Sequence, residues 1–171
     1  TATTPYLPQP RNASPLPSTT KHKIGIVYAG QANNPRDHLR SLPLESLAEL
    51  LKTSNCQFYN LTRARSDKDV DFFKAYAVVD LSQQLHDFAD TAAIISQLDL
   101  LITCDTAAAH LAAGMGKTVF TALPFAPDWR WGYDRSDTLW YPTMTLFRQS
   151  QRGEWREGTT KMPERGESVR K

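Results

Sequence analysis

Ile102, Thr103, Cys104, Asp105, Thr106, Ala107, Ala108, Ala109 and His110 pass from an apolar run into a string of small side chains. A buried strand that runs directly into a helix has this signature. The first N–H groups of a helix have no partner inside it, and the aligned peptide dipoles favour negative charge there. Small residues at Ala107 and Ala108 let a diphosphate come close to those groups. Asp105 or Thr106 suits the N-cap, and the Thr106 hydroxyl can also donate to phosphate. The same residues equally describe a helix that is merely capped by Asp105 and packs tightly through its alanines. His110 lies five residues past Asp105, and a single helix histidine serves packing as readily as ligand contact.

Three further stretches carry polar groups next to apolar runs. Residues 29–41 follow Ile24, Gly25, Ile26, Val27 and Tyr28. Gly30 permits backbone conformations that other residues resist. Arg36 and Arg40 can neutralise a diphosphate, guanidinium being suited to bidentate phosphate contact, although a solvated loop has the same composition. Neither G-x-G-x-x-G nor G-x-x-x-x-G-K-[ST] occurs, which weakens nicotinamide and P-loop readings. In Asp87, Phe88, Ala89, Asp90 and Thr91, the residues Asp90 and Thr91 suit a helix start. A place at the carboxyl edge of a sheet would also let this stretch reach a base or ribose. Residues 124–131 set Phe125, Trp129 and Trp131 beside Asp128 and Arg130, as either a sugar-facing wall or an aromatic plug in the core. The four histidines form no metal set, and no nucleophile motif or catalytic carboxylate pair stands out, so the catalytic group is unassigned.

The elements that must position these residues follow from hydrophobic periodicity. Apolar runs at 24–28, 57–61, 77–81, 100–103 and 118–123 read as strands. Residues 67–76, 87–97 and 106–113 read as helices. Pro43 opens another, with Leu44, Leu47, Ala48 and Leu51 on one face. This alternation predicts an α/β fold, a Rossmann-like doubly wound sheet that is mainly parallel, with ligands at the carboxyl ends of its strands. Residues 1–22 are proline-rich and read as a linker or arm, 23–150 as the domain, and 151–171 as a charged tail without packed structure.

A chain of 171 residues suits one domain, and a net charge of +2 gives no reason to expect nucleic acid as a partner. No apolar run approaches a membrane span and the N-terminal residues are not signal-like, which makes the cytoplasm the default. Cys56 and Cys104 read as buried, unbridged thiols at strand ends, consistent with a reducing compartment. The glycosylation-type triplets at Asn12 and Asn60 read as chance matches.

Residues 23–30, Arg40 with Ser41, and residues 87–93, 105–112, 123–131, 140–149 and 153–155 occur as an ordered series. The series resembles the C-terminal region of bacterial tetratricopeptide-repeat glycosyltransferases and, more distantly, lipopolysaccharide heptosyltransferases, over residues 23–155. The resemblance implies a B-type architecture, in which two Rossmann-like domains face each other across a cleft. The C-terminal one holds a nucleotide sugar as substrate, with no metal and no separate cofactor. By the resemblance, Thr106 and the Ala107 backbone hold the diphosphate, and Arg40, in the loop that Gly30 opens, contacts phosphate. Asp87, Asp90 and Thr91 approach base or ribose, Asp105 fixes the turn, and His110 lies near the nucleotide. Phe125, Asp128 and Trp129 are the sugar-facing candidates.

In such relatives the base that activates the acceptor belongs to an N-terminal domain. The chain is therefore expected to need that domain, or a repeat domain, from a partner. Residues 156–163 depart from the family in not reading as an amphipathic helix, which would leave apolar sheet surface uncovered. A nucleotide-binding module without catalysis is the alternative. A dinucleotide-dependent oxidoreductase lacks its glycine fingerprint here.

Overall fold

Strand residues that are apolar on both faces must be covered on both faces, and the chain does this with helices. The computed structural model describes residues 3–10, 13–63 and 66–168, with the side chains of the last helix described as far as Met162. The strands are β1 (His22–Val27), β2 (Cys56–Asn60), β3 (Val79–Asp80), β4 (Leu100–Cys104), β5 (Val119–Leu123) and β6 (Met144–Arg148). They form one sheet in the order β3-β2-β1-β4-β5-β6, and every pairing is parallel. The fold is thus the expected Rossmann-like α/β sheet, its order reversing between β1 and β4. Val27 sits opposite Thr103 at the carboxyl end of that junction.

Side chains alternate across the sheet, so successive residues feed two separate cores. Val27, Leu101 and Val119 join the core shared with α4 (Phe88–Ile95) and α5 (Ala107–Gly114). Ile26, Ile102 and Phe120 join the opposite core, with α2 (Ala48–Leu51) and α3 (Asp67–Ala75). Gly25 lies between Leu98 and Leu101, where a Cβ would run into Leu98. Glycine there lets the turn after α4 close onto β1.

Two expectations from sequence are corrected. The helix expected from Pro43 is a 3-10 turn, Leu44–Leu47, followed by the single α-turn of α2. Both the Ser46 amide (2.9 Å) and its Oγ (2.6 Å) donate to the Pro43 carbonyl, which holds the tighter turn. The tail expected to lack packed structure forms α6 (Arg156–Ser168). Trp155, Thr159 and Met162 fall at i, i+4 and i+7 and are all buried, against a core that includes Leu47, Phe120 and Phe147. Thr159 Oγ1 also donates to the Ser46 carbonyl at 2.7 Å. The apolar stripe is too narrow to read from the sequence. The helix forms because β5 and β6 offer it a surface, which it covers.

The proline-rich stretch lies along α4 and α5. Tyr6 and Leu7 both donate their amides to the Gly114 carbonyl, and Leu16 is buried. The Gln97 side chain accepts from the Leu16 amide and donates to the Ser14 carbonyl. Cys56 and Cys104 are buried at strand ends and neither is in a disulfide. Asn60 is fully buried, its amide donating to Asp80, so it is closed to modification, and Asn12 lies outside the described residues. Among the described residues no helix is long and apolar enough to cross a membrane.

Candidate functional site

Where β1 and β4 part, the loops that follow them leave a cleft of about 460 Å3. Thr106, Ala107 and Ala108 form its floor. Thr106 is the N-cap of α5, with extended backbone and no side-chain bond to the helix it caps. Its Oγ1 lies 3.1 Å from Thr103 Oγ1, whose own proton goes to the Cys104 carbonyl. Thr106 is therefore the donor of that pair, so its proton is spent on Thr103 and is not free for phosphate as the sequence suggests, and the first N–H groups of α5 are left to whatever enters the cleft.

One wall is the loop after β1. A short helix, α1 (Asp37–Arg40), ends in the arginine that lines the cleft. Arg40 Nε donates to Asp37 Oδ1 at 3.0 Å, and Arg40 Nη1 donates to the Asp105 carbonyl at 3.0 Å. Ser41 Oγ donates to the other Asp37 oxygen at 2.8 Å. One guanidinium thus bridges the loop after β1 and the turn before α5. Gly30 leaves space for this pair: a Cβ there would displace the Asp37 carboxylate and the Arg40 guanidinium. Its φ lies outside the left-handed region, so close approach, not unusual backbone, explains the glycine. Arg36 is exposed and is not among the cleft residues.

The other wall is the start of α4, with Asp87, Phe88 and Thr91. Asp87 is the N-cap and accepts from the Asp90 amide, while the Asp90 carboxylate accepts from the His86 amide. The helix thus begins at Asp87, as expected for 87–97, with Asp90 in its first turn, where its carboxylate turns to the cap instead of lining the cleft. Thr91 Oγ1 donates to the Asp87 carbonyl. Sequence reasoning missed Arg63, which also lines the cleft and donates to the His86 carbonyl at 3.2 Å. It belongs to no motif. The only available signal was its place just past the carboxyl end of β2.

The remaining candidates stand outside the cleft lining. Asp105 contributes its backbone carbonyl. His110 shares a 2.9 Å hydrogen bond with the Tyr141 hydroxyl and stacks on Trp131, ring centroids 5.1 Å apart. Trp131 is fully buried and Trp129 is 79% exposed, so the two tryptophans divide the core and surface roles left open by the sequence. Phe125 is also exposed, and Asp128 caps the turn Trp129–Trp131 and pairs with Arg130.

Burial pushes the His110 imidazole below its ordinary pKa, against a smaller upward pull from Asp105. Its proton is bound more tightly in the unfolded chain, so stability is present above the unfolded pKa of about 6.5 and is lost as pH falls below it. The melting temperature should drop between about pH 7.5 and about pH 5.5, and drop less in His110→Gln. Identical pH profiles for the two proteins would remove His110 as the cause.

Floor and walls together present helix N–H groups and two guanidinium groups to a multiply charged oxyanion. The fold and the cleft define the class: a Rossmann-like α/β domain with a ligand-sized cleft at its topological switch point. No family model matches the sequence. Protein FlbA of Caulobacter vibrioides is 27% identical over 139 residues, which make up 78% of this chain and 23% of that protein. The solved structure of E. coli heptosyltransferase WaaC with ADP aligns at a TM-score of 0.63 and 15% identity, over 91% of this chain and 46% of that one. WaaC with ADP-2-deoxy-2-fluoro heptose gives 0.60 and 14%, over 89% and 45%. E. coli ADP-heptose lps heptosyltransferase II gives 0.53 and 16%, over 90% and 46%. At such identities the likeness shows the fold. The chain spans less than half the length of these heptosyltransferases and about a quarter of FlbA.

Proposed function

We propose that this domain holds the nucleoside diphosphate of a nucleotide sugar, as the donor-binding half of a cytoplasmic, metal-independent glycosyltransferase. The observation that carries the reading is Arg40, whose guanidinium is shared between Asp37 and the Asp105 carbonyl and borders the cleft floor. In sugar transfer the nucleoside diphosphate leaves with growing negative charge. Arg40, Arg63 and the α5 N–H groups would stabilise it without a metal ion. Asp87 and Thr91 border the cleft on the side left for base or ribose. The general base for the acceptor would come from a further domain, as the resemblance to tetratricopeptide-repeat glycosyltransferases implies.

Calorimetric titration with UDP, ADP, GDP and NAD tests the reading. At least one nucleoside diphosphate should bind, and Arg63→Ala should weaken it by about 1.5–3 kcal/mol, the range for a hydrogen bond to a charged group. Binding of NAD alone would sink the proposal. Binding without sugar transfer, once the rest of the protein is supplied, would instead mark a nucleotide-binding module.

A further inference from the structure

A second hollow, of about 230 Å3, lies beside α1 and away from the cleft floor. His38 and Leu39 line this hollow, whereas Arg40 lines the cleft. The other walls are Phe125, from the turn after β5, and Gln149, Arg152 and Trp155, from the segment after β6.

Gln149 makes the hollow more than a surface dent. Its residue is only 8% exposed, and its Oε1 accepts from the amides of Phe125 (3.0 Å) and Gly153 (3.2 Å). Those two bonds fix which end of the side-chain amide is oxygen. Nε2 then keeps both protons, and among the described residues no group accepts them. Nε2 is not one of the sealed interior atoms, and Gln149 lines the hollow. With its oxygen fixed by two amides, Nε2 is a donor held in place and open to an acceptor. Arg152 forms no ion pair among the described residues. Gln149 Nε2 and Arg152 can only donate, and His38 donates from at least one ring nitrogen. Leu39, Phe125 and Trp155 supply apolar walls.

We propose that this hollow is a separate binding site for a small ring carboxylate. The carboxylate would accept from Gln149 Nε2 and Arg152, and the ring would lie against Leu39 and Phe125. At about 230 Å3 it is smaller than the roughly 300 Å3 at which pockets for drug-sized ligands begin, which suits one ring and not a nucleotide. A sugar acid and an aromatic acid both supply such a ring, and the carboxylate is common to both.

The test is an NMR titration of the full chain with glucuronate and, separately, benzoate, following the Gln149 side-chain amide and the Phe125 backbone amide. At least one acid should move both signals saturably, and the tighter one identifies the source of the ring. Arg152→Gln, a surface change, should weaken binding about tenfold, the scale of a charge-assisted hydrogen bond. Gln149→Glu keeps an oxygen for both amides but places a charge against the carboxylate, and should abolish binding. No shift with either acid would overturn the proposal, as would an equal shift with glucose or undiminished binding in Arg152→Gln. Nucleotide binding at the cleft is read separately by calorimetry, so either reading can fail without the other.

Discussion

Trp131→Ala is expected to destabilise the fold by about 3–5 kcal/mol, the range for emptying a buried aromatic site. Trp131 is fully buried in the core that contains α4 and α5 and forms the surface on which His110 stacks. Its carbonyl accepts from Arg148 Nη2 at 2.6 Å, and Arg148 Nε donates to the Arg135 carbonyl, so the loop around it is tied to β6. The indole Nε1 is sealed in with no partner among the described residues. Trp131→Phe discards that unpaired donor while keeping most of the ring, and should cost clearly less than alanine. Urea unfolding of the three proteins measures both differences. A loss below about 1 kcal/mol for alanine would show that the site collapses freely and that Trp131 does not wedge the aromatic loop onto α5.

Arg40→Ala is expected to weaken nucleoside diphosphate binding by about 1.5–3 kcal/mol, the range for a hydrogen bond to a charged group. Arg40→Lys should recover little, because one ammonium cannot reach the Asp37 carboxylate, the Asp105 carbonyl and a ligand in the guanidinium's planar arrangement. Removing the arginine also leaves the Asp37 carboxylate, only 13% exposed, with Ser41 as its remaining side-chain donor. Asp37→Asn separates the two effects, since it frees Arg40 from its ion pair but leaves the guanidinium in the cleft. Calorimetry gives the affinity and urea unfolding the stability. Unchanged affinity in Arg40→Ala would reject Arg40 as a phosphate contact.

The strand-to-helix junction was legible because its signals are local. An apolar run, Leu100 to Thr103, needs burial, and Thr106 followed by alanines needs only neighbouring backbone to cap and start α5. Gly30 reads from sequence as a point of backbone freedom, yet its reason is the space taken by Asp37 and Arg40, which only the folded loop brings there. Asp90 is legible as a helix-start residue for the same local reason: its amide donates to the Asp87 carboxylate and its own carboxylate accepts from the His86 amide.

The amino-acid sequence by itself determined the alternation of strands and helices, the parallel sheet that follows from it, and the small-residue turn at Thr106. Each of these rests on periodicity or on backbone groups a few residues apart. Only the tertiary structure decided that Arg63 joins the cleft, that His110 turns to Tyr141 and Trp131, and that Trp155, Thr159 and Met162 hold α6 against the sheet. Those outcomes depend on contacts between residues far apart in the chain. In α6 the burial leaves only the narrow stripe of Trp155, Thr159 and Met162, too sparse to mark a helix until the surface it packs on is in place.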